Sequence, residues 1–461
     1  MAVTENEALI RRTTGYLIEK YSPSGNRVGW LMIASILIEA WDLYSISFIL
    51  IFMQNEFDPS PLMLGAVSGS VQLGAVLGAI GGGWLSDKIG RRYVFLATMI
   101  TFVVLGLAQG FAPNMATLLV VRFLLGIPLG TDIANGYTYI METMPRGKRE
   151  VMGNRWQGMF AIGSVCAIIV TLILLLIGVP HTLLWRIVLS FGAVPAIILF
   201  VLRRNLPETA VWLVQRGNWR EAKQVTQKMY DDPLDMLPDH DVDIPHPKLR
   251  QFLKEIRPKP IAFRATIFGW ITSFAQGAEH ATFGFFVPIT FVLVGVSGVL
   301  ATNVTNLVIY SIGAVAGFIA PQLTPKLGQR GISIAGYSIT FIALTVTGIA
   351  IIAHTLVIVP IAVCCYLVGH YWDASNTMTV ASVVAPPAYR GTASGFNYIF
   401  TKAVSFLGIT LFPLVFDMVG QGPATLLTAG FSLIGLLSAI FIFREIYGYA
   451  EVETEEATER A

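Results

Sequence analysis

The chain has 461 residues, of which 54% are hydrophobic and only 13% charged, about half the charged share of an ordinary soluble domain, roughly 25%. So few charges cannot cover a water-soluble globule of this size. A net charge of +2, with the basic residues dispersed rather than gathered, excludes nucleic acid as a partner.

The first 28 residues carry Glu5, Glu7, Arg11, Arg12, Glu19 and Lys20, and no small-residue cleavage site precedes the first apolar run. They read as a cytoplasmic tail leading into a retained helix. A span needs about 20 apolar residues, and such runs fall at 29–53, 62–86, 93–112, 116–141, 154–177 and 184–202. After a polar stretch, six more fall at 264–294, 298–322, 332–352, 356–384, 393–418 and 423–443. The expected fold is an all-α membrane protein, twelve transmembrane helices in two pseudo-symmetric six-helix bundles. The expected organisation is a tail to 28, a first bundle over 29–202, a central loop with short helices over 203–263, a second bundle over 264–443 and an acidic tail over 444–461.

Lys88, Arg91 and Arg92, then Arg146, Lys148 and Arg149, the central loop, Lys326 with Arg330, and Arg390 all fall in loops on one side. The opposite loops, 54–60, 110–114 and 420–423, hold no Lys or Arg. The bias places the basic loops and both termini in the cytoplasm of a cell-membrane protein. Trp219 to Tyr230 reads as an amphipathic helix in the central loop, followed by the acidic, proline-broken DDPLDMLPDHDVDIPHP.

The loop after the second run, GGGWLSDKIGRRYVF (Gly81 to Phe95), places Asp87 beside Arg91 and Arg92 among small residues. It resembles the signature loop of the major facilitator superfamily, where such a charge network closes the cytoplasmic side. The second half carries a worn counterpart, APQLTPKLGQRG (Ala320 to Gly331), without the acid. YIMETMPRGKR (Tyr139 to Arg149), LPETAVWLVQRGNWREA (Leu206 to Ala222) and APPAYRGTASG (Ala385 to Gly395) are similar to segments of the sugar porter branch. That resemblance implies a cytoplasmic gate of Asp87, Arg91, Arg92, Glu142, Arg149, Glu208, Arg216 and Arg390. The third segment departs from the pattern, with Ala381 to Ala385 in place of an acid, so one gate pair of the second half is expected to be missing.

Ionisable groups within the bilayer are costly and usually face a cavity or a partner. Glu39, Asp42, Arg122, Asp132, Glu279, Asp373 and Lys402 all fall inside apolar runs. Asp42 and Arg122 match a first-helix aspartate and a fourth-helix arginine of sugar porters, which implies proton coupling, with Asp132 as a further acid. A carboxylate whose arginine partner withdraws becomes easier to protonate, which ties proton uptake to a conformational switch. Asp132 and Lys402 also match positions of phosphate-carrying relatives.

The stretch AQGAEHATFGFFVP (Ala275 to Pro288) is similar to the sugar porters' seventh helix, so Gln276 and, in the fifth run, Gln157 are candidate sugar-binding amides. An amide offers donors and an acceptor to hydroxyl ligands. Glu279 and His280 stand where those porters have small or apolar residues, and His280 is a candidate proton shuttle or hydrogen-bonded partner of Glu279. Trp372, Asp373 and Asn376 form a polar and aromatic cluster suited to a small ligand, or a packing cluster with Asp373 paired to Lys402.

Cys166, Cys364 and Cys365 lie in apolar runs and read as small buried hydrophobes. No phosphate-binding loop and no metal-ligand spacing is present, so no enzyme, cofactor or metal is expected and the energy source must be a gradient. The expected function is a monomeric, proton-coupled carrier of a sugar-like solute. Phosphate or an organic anion, an organic cation, and a non-transporting sensor with a carrier fold remain as alternatives.

Overall fold

The computed structural model describes residues 2–244, 249–296 and 298–449. The Glu-rich stretch expected as a tail lies, from 450 onward, outside the described residues.

Twelve spans are present among the described residues. The first five are Gly25–Ile33 with Ser35–Phe57, Pro61–Ile89, Arg91–Gln109, Met115–Thr143 and Trp156–Leu176. The sixth combines His181–Ser190 with Ala193–Arg203. The seventh begins as Pro260–Glu279, widens into a π-helical turn at His280–Gly284 and resumes as Val287–Leu293. Val299–Ile352 is 54 residues long, too long for one crossing, and folds into the eighth and ninth spans at Gly328, where φ is 72° and ψ 170°. The tenth is Val359–Asp373 followed, after a break, by Thr377–Val384; Arg390–Val419 and Gln421–Phe441 complete the set.

With no hydrophobic drive between helices in lipid, small residues set which spans touch. A Cβ added at Gly74 in the second span would lie 1.9 Å from the Phe123 carbonyl oxygen of the fourth, so only glycine permits that approach. Large apolar side chains such as Leu77, Ile80, Ile100 and Val104 stay exposed on the outer surface, as a lipid-facing belt requires. The halves meet where the second span packs on the eleventh and the fifth on the eighth. Numbered within each half, these are the same two helices exchanged, as a repeat demands.

On the basic face, Ala2–Glu19 forms a helix whose Ile10 and Leu17 pack with Val211, Leu213 and Trp219 from the central-loop helices Ala210–Arg216 and Trp219–Tyr230. Residues read from sequence as a tail therefore belong to a small second core beneath the bundle. The reason is the amphipathic pattern of both segments, which buries one stripe of each.

Candidate functional site

A central cavity lies between the halves, lined by Glu39, Gln72, Trp156, Gln157, Gln276, His280, Tyr398 and Lys402 among others. Its volume is about 20 Å³, room for one water and far below the few hundred Å³ of a small-molecule site. Contacts between the halves flank it toward the basic face and toward the opposite face.

On the basic face, the Asp87 carboxylate accepts from the Thr392 amide and hydroxyl of the other half, both at 2.9 Å. Arg390 donates to the Met141 carbonyl at 3.2 Å, also across the halves. The missing acid of the tenth span is thus answered by a backbone oxygen. Asn154 and Asn376 meet at 2.7 Å, and Trp156 Nε1 donates to the Ser375 carbonyl at 3.2 Å. Toward the opposite face, Tyr44 lies against Tyr310 with ring centroids 4.8 Å apart, and its hydroxyl is 3.3 Å from His280 Nε2.

The expected gate residues assemble beneath the bundle. Arg91 bridges Asp87 at 2.9 Å and Glu142 at 2.8 Å, and Arg216 donates to the Asp87 carbonyl. Glu208 pairs with no arginine side chain among the described residues; it accepts the backbone N–H groups of Arg92 at 3.1 Å and Thr209 at 2.9 Å. An anion there is favoured by the N-terminal end of the third span. Burial raises the Glu208 carboxyl above its ordinary value, with the Arg91 charge opposing. Arg149 pairs locally with Glu150 at 3.5 Å. In the second half, Glu445 accepts from the amides of Gln329 and Arg330 at 2.9 and 3.1 Å, repeating the role of Glu208 from a residue far outside the worn motif.

Asp42 and Arg122 pair at 3.2 Å, fully buried, with Gln109 donating to Asp42 at 3.0 Å and accepting from Arg122 at 2.9 Å. One helical turn away, Glu39 pairs with Lys402 across the halves and accepts from Tyr398 at 2.5 Å. Asp373 is therefore not the partner of Lys402. Asp132 lies outside the cavity, 3.3 Å from Arg203 and 3.2 Å from Thr98.

Of the amides, Gln157 is 1% exposed, and neither its oxygen nor its nitrogen has a hydrogen-bond partner among the described residues; Gln276 Oε1 is in the same condition. Buried polar groups are nearly always bonded, so these atoms at the cavity wall are free to take a further partner. Trp372, Asp373 and Asn376 do not line the cavity: Asn376 bonds Asn154, Ser333 and the Gln329 carbonyl, tying helices together. Glu279 also turns away, toward His370 at 2.7 Å and the Ser432 hydroxyl.

Sequence reasoning passed over Gln72, Trp156, Tyr398 and His370. Tyr398 precedes Lys402 by one helical turn and His370 precedes Asp373 by three residues, so shared helix faces were a usable signal.

The family model described as "Sugar (and other) transporter" matches residues 30–459. The inner membrane metabolite transport protein YgcS of Escherichia coli (strain K12) is 27% identical over 55% of this chain, and the match spans 59% of that protein. The D-xylose transporter of Levilactobacillus brevis is 26% identical over 92% of this chain and 93% of its own length. Among solved structures, the proton:xylose symporter XylE bound to 6-bromo-6-deoxy-D-glucose superposes with a TM-score of 0.80 at 17% identity, covering 95% of this chain and 100% of that one.

Proposed function

Since the chain belongs to the sugar (and other) transporter family, we propose that it carries a monosaccharide or similar polyhydroxylated solute through the bilayer by alternating access, driven by protons. The observation that carries the reading is the set of buried, unbonded amide atoms, both of Gln157 and the oxygen of Gln276, at one cavity. Together they supply donor and acceptor atoms at fixed positions, the pattern that hydroxyls satisfy. Trp156, with its ring at the cavity wall, offers an apolar plate for the face of a sugar ring.

An anion is not proposed, because Lys402 is already neutralised by Glu39. The Glu39 and Lys402 pair, with Tyr398, would instead turn toward solute hydroxyls when the halves part. Coupling is assigned to Asp42, whose charge is held by Arg122 and Gln109 one turn from Glu39. Loss of the arginine contact as the first span shifts would let the buried acid take a proton. Asp132, neutralised by Arg203 inside the first half, is assigned a static role. The closed basic face is assigned to the cytoplasm of a cell membrane by the positive-inside rule, with both termini on that side and the chain acting as a monomer.

The test is reconstitution in liposomes holding a pH dye, with D-xylose, D-glucose, myo-inositol, phosphate, a carboxylate or an amine added outside. Internal acidification with one of the polyols supports the reading. Acidification with phosphate or the carboxylate alone, or with none of the panel, overturns it.

A further inference from the structure

Away from the cavity and the Asp42 pair, the second half buries a group of three ionisable side chains. Glu279, His370 and Asp373 are 0%, 2% and 1% exposed, and one donor atom from each lies within 4.8 Å of the others. His370 Nδ1 is 2.7 Å from Glu279 Oε1; Ser432 donates to the other Glu279 oxygen, and Thr340 donates to Asp373 Oδ2 at 2.8 Å. Asp373 Oδ1 has no hydrogen-bond partner among the described residues.

The charge balance is the argument. With His370 neutral the group carries two negative charges, and with His370 charged it still carries one. No Lys or Arg is paired with it among the described residues, since Lys402 is held by Glu39. Ionised carboxylates at membrane depth without a counter-charge are costly. Location adds to the cost at Asp373, which ends Val359–Asp373, where the helix dipole presents negative charge and favours a cation. The tenth span breaks at this point and the seventh widens into its π-helical turn, departures from regular helix of the kind found around transporter ion sites.

The repeat gives the group a meaning. In the first half an acid of the first helix pairs with a base of the fourth, Asp42 with Arg122. In the second half an acid of the equivalent first helix pairs with a base of the equivalent fourth, Glu279 with His370. Here the base is an imidazole, a group that can be neutral or charged, in place of a permanently charged guanidinium. We propose that Glu279, His370 and Asp373 form a second proton-binding site, belonging to the second half and distinct from Asp42.

The proton comes from water reaching the central cavity. His280 lines that cavity, and its ring stacks on His370 with centroids 5.1 Å apart. On uptake, His370 or Asp373 Oδ1 gains the proton, and it returns to water when the cavity opens to the other side. The other ionisable groups around the site are His280 on the seventh span, Tyr310 and Tyr337 on the eighth and ninth, Tyr366 and Tyr371 on the tenth, and Lys402 beyond His280.

The test needs no transported solute. Purified protein in lipid nanodiscs is acidified in weak buffer with a pH dye, and protons taken up per chain are counted alongside the infrared carboxyl bands. Asp373→Asn and His370→Gln, shown to be folded by thermal melting, should each take up about one proton fewer than the unmodified chain, and Asp373→Asn should lose a protonated-carboxyl band. Thr340→Val, which keeps all three groups, should move the uptake midpoint. Unchanged uptake and bands in the folded variants, or an unmoved midpoint in Thr340→Val, would overturn the proposal. So would a rise in melting temperature with zinc that Asp373→Asn abolishes, since that would reveal a metal site. Asp42→Asn should remove a different band, so failure at one site leaves the reading of the other standing.

Discussion

Lys402 of the eleventh span and Glu39 of the first form a buried ion pair that joins the two halves at the cavity wall. Any movement that parts the halves must break or re-partner it, so the closed state and the open state differ in where these two charges go.

Removing one partner of a buried pair leaves an uncompensated charge, at a cost of about 3–5 kcal/mol, whereas removing both costs far less. Glu39→Gln should therefore lower the melting temperature of the purified protein more than the double variant Glu39→Gln with Lys402→Met. Equal losses would mean that the pair adds nothing to the closed state.

Asp42→Asn preserves shape and removes the charge that Arg122 and Gln109 hold. Proteoliposomes of this variant should exchange labelled solute between equal pools yet fail to accumulate it against a pH gradient. Retained accumulation would remove Asp42 from the coupling mechanism.

The basic face is closed by a backbone approach as well as by charges: a Cβ on Gly83 would lie 2.4 Å from the Gly391 carbonyl oxygen of the other half. Gly83→Leu should wedge this face open. A cysteine placed at Ser394, with Cys166, Cys364 and Cys365 removed, should then react several-fold faster with a water-soluble maleimide.

Burial holds the Glu208 carboxyl above its ordinary value, so the fold favours its neutral form. The stability it contributes is full below the ordinary carboxylate range and is lost as pH rises through the raised value. The melting temperature of the native chain relative to Glu208→Gln should accordingly fall over the interval above the ordinary carboxylate value of about 4. A difference that grows over that interval would mean that the amides of Arg92 and Thr209, together with Arg91, outweigh burial.

Hydropathy is a local property, and the bilayer fixes the length over which it must persist. The number of spans, the basic face and the Asp87, Arg91 and Glu142 network could for that reason be read from runs and short motifs. Even there, local pattern missed the helix at Ala2–Glu19, whose apolar stripe has meaning only against the central-loop helices. Apart from Asp42 with Arg122, which the family resemblance supplied, the partners of the intramembrane charges were not legible, because each of these pairs joins residues far apart in the chain. Lys402 meets Glu39 rather than Asp373, Asp132 meets Arg203, and Glu279 meets His370.

What the sequence determined by itself is the machine: twelve spans in two related halves, with acids, bases and amides inside the membrane. What only the tertiary structure decided is which of those groups share a space. A buried charge takes the nearest opposite charge or hydrogen-bond donor that packing brings to it, and packing across the halves is set by helix contacts that no single segment encodes.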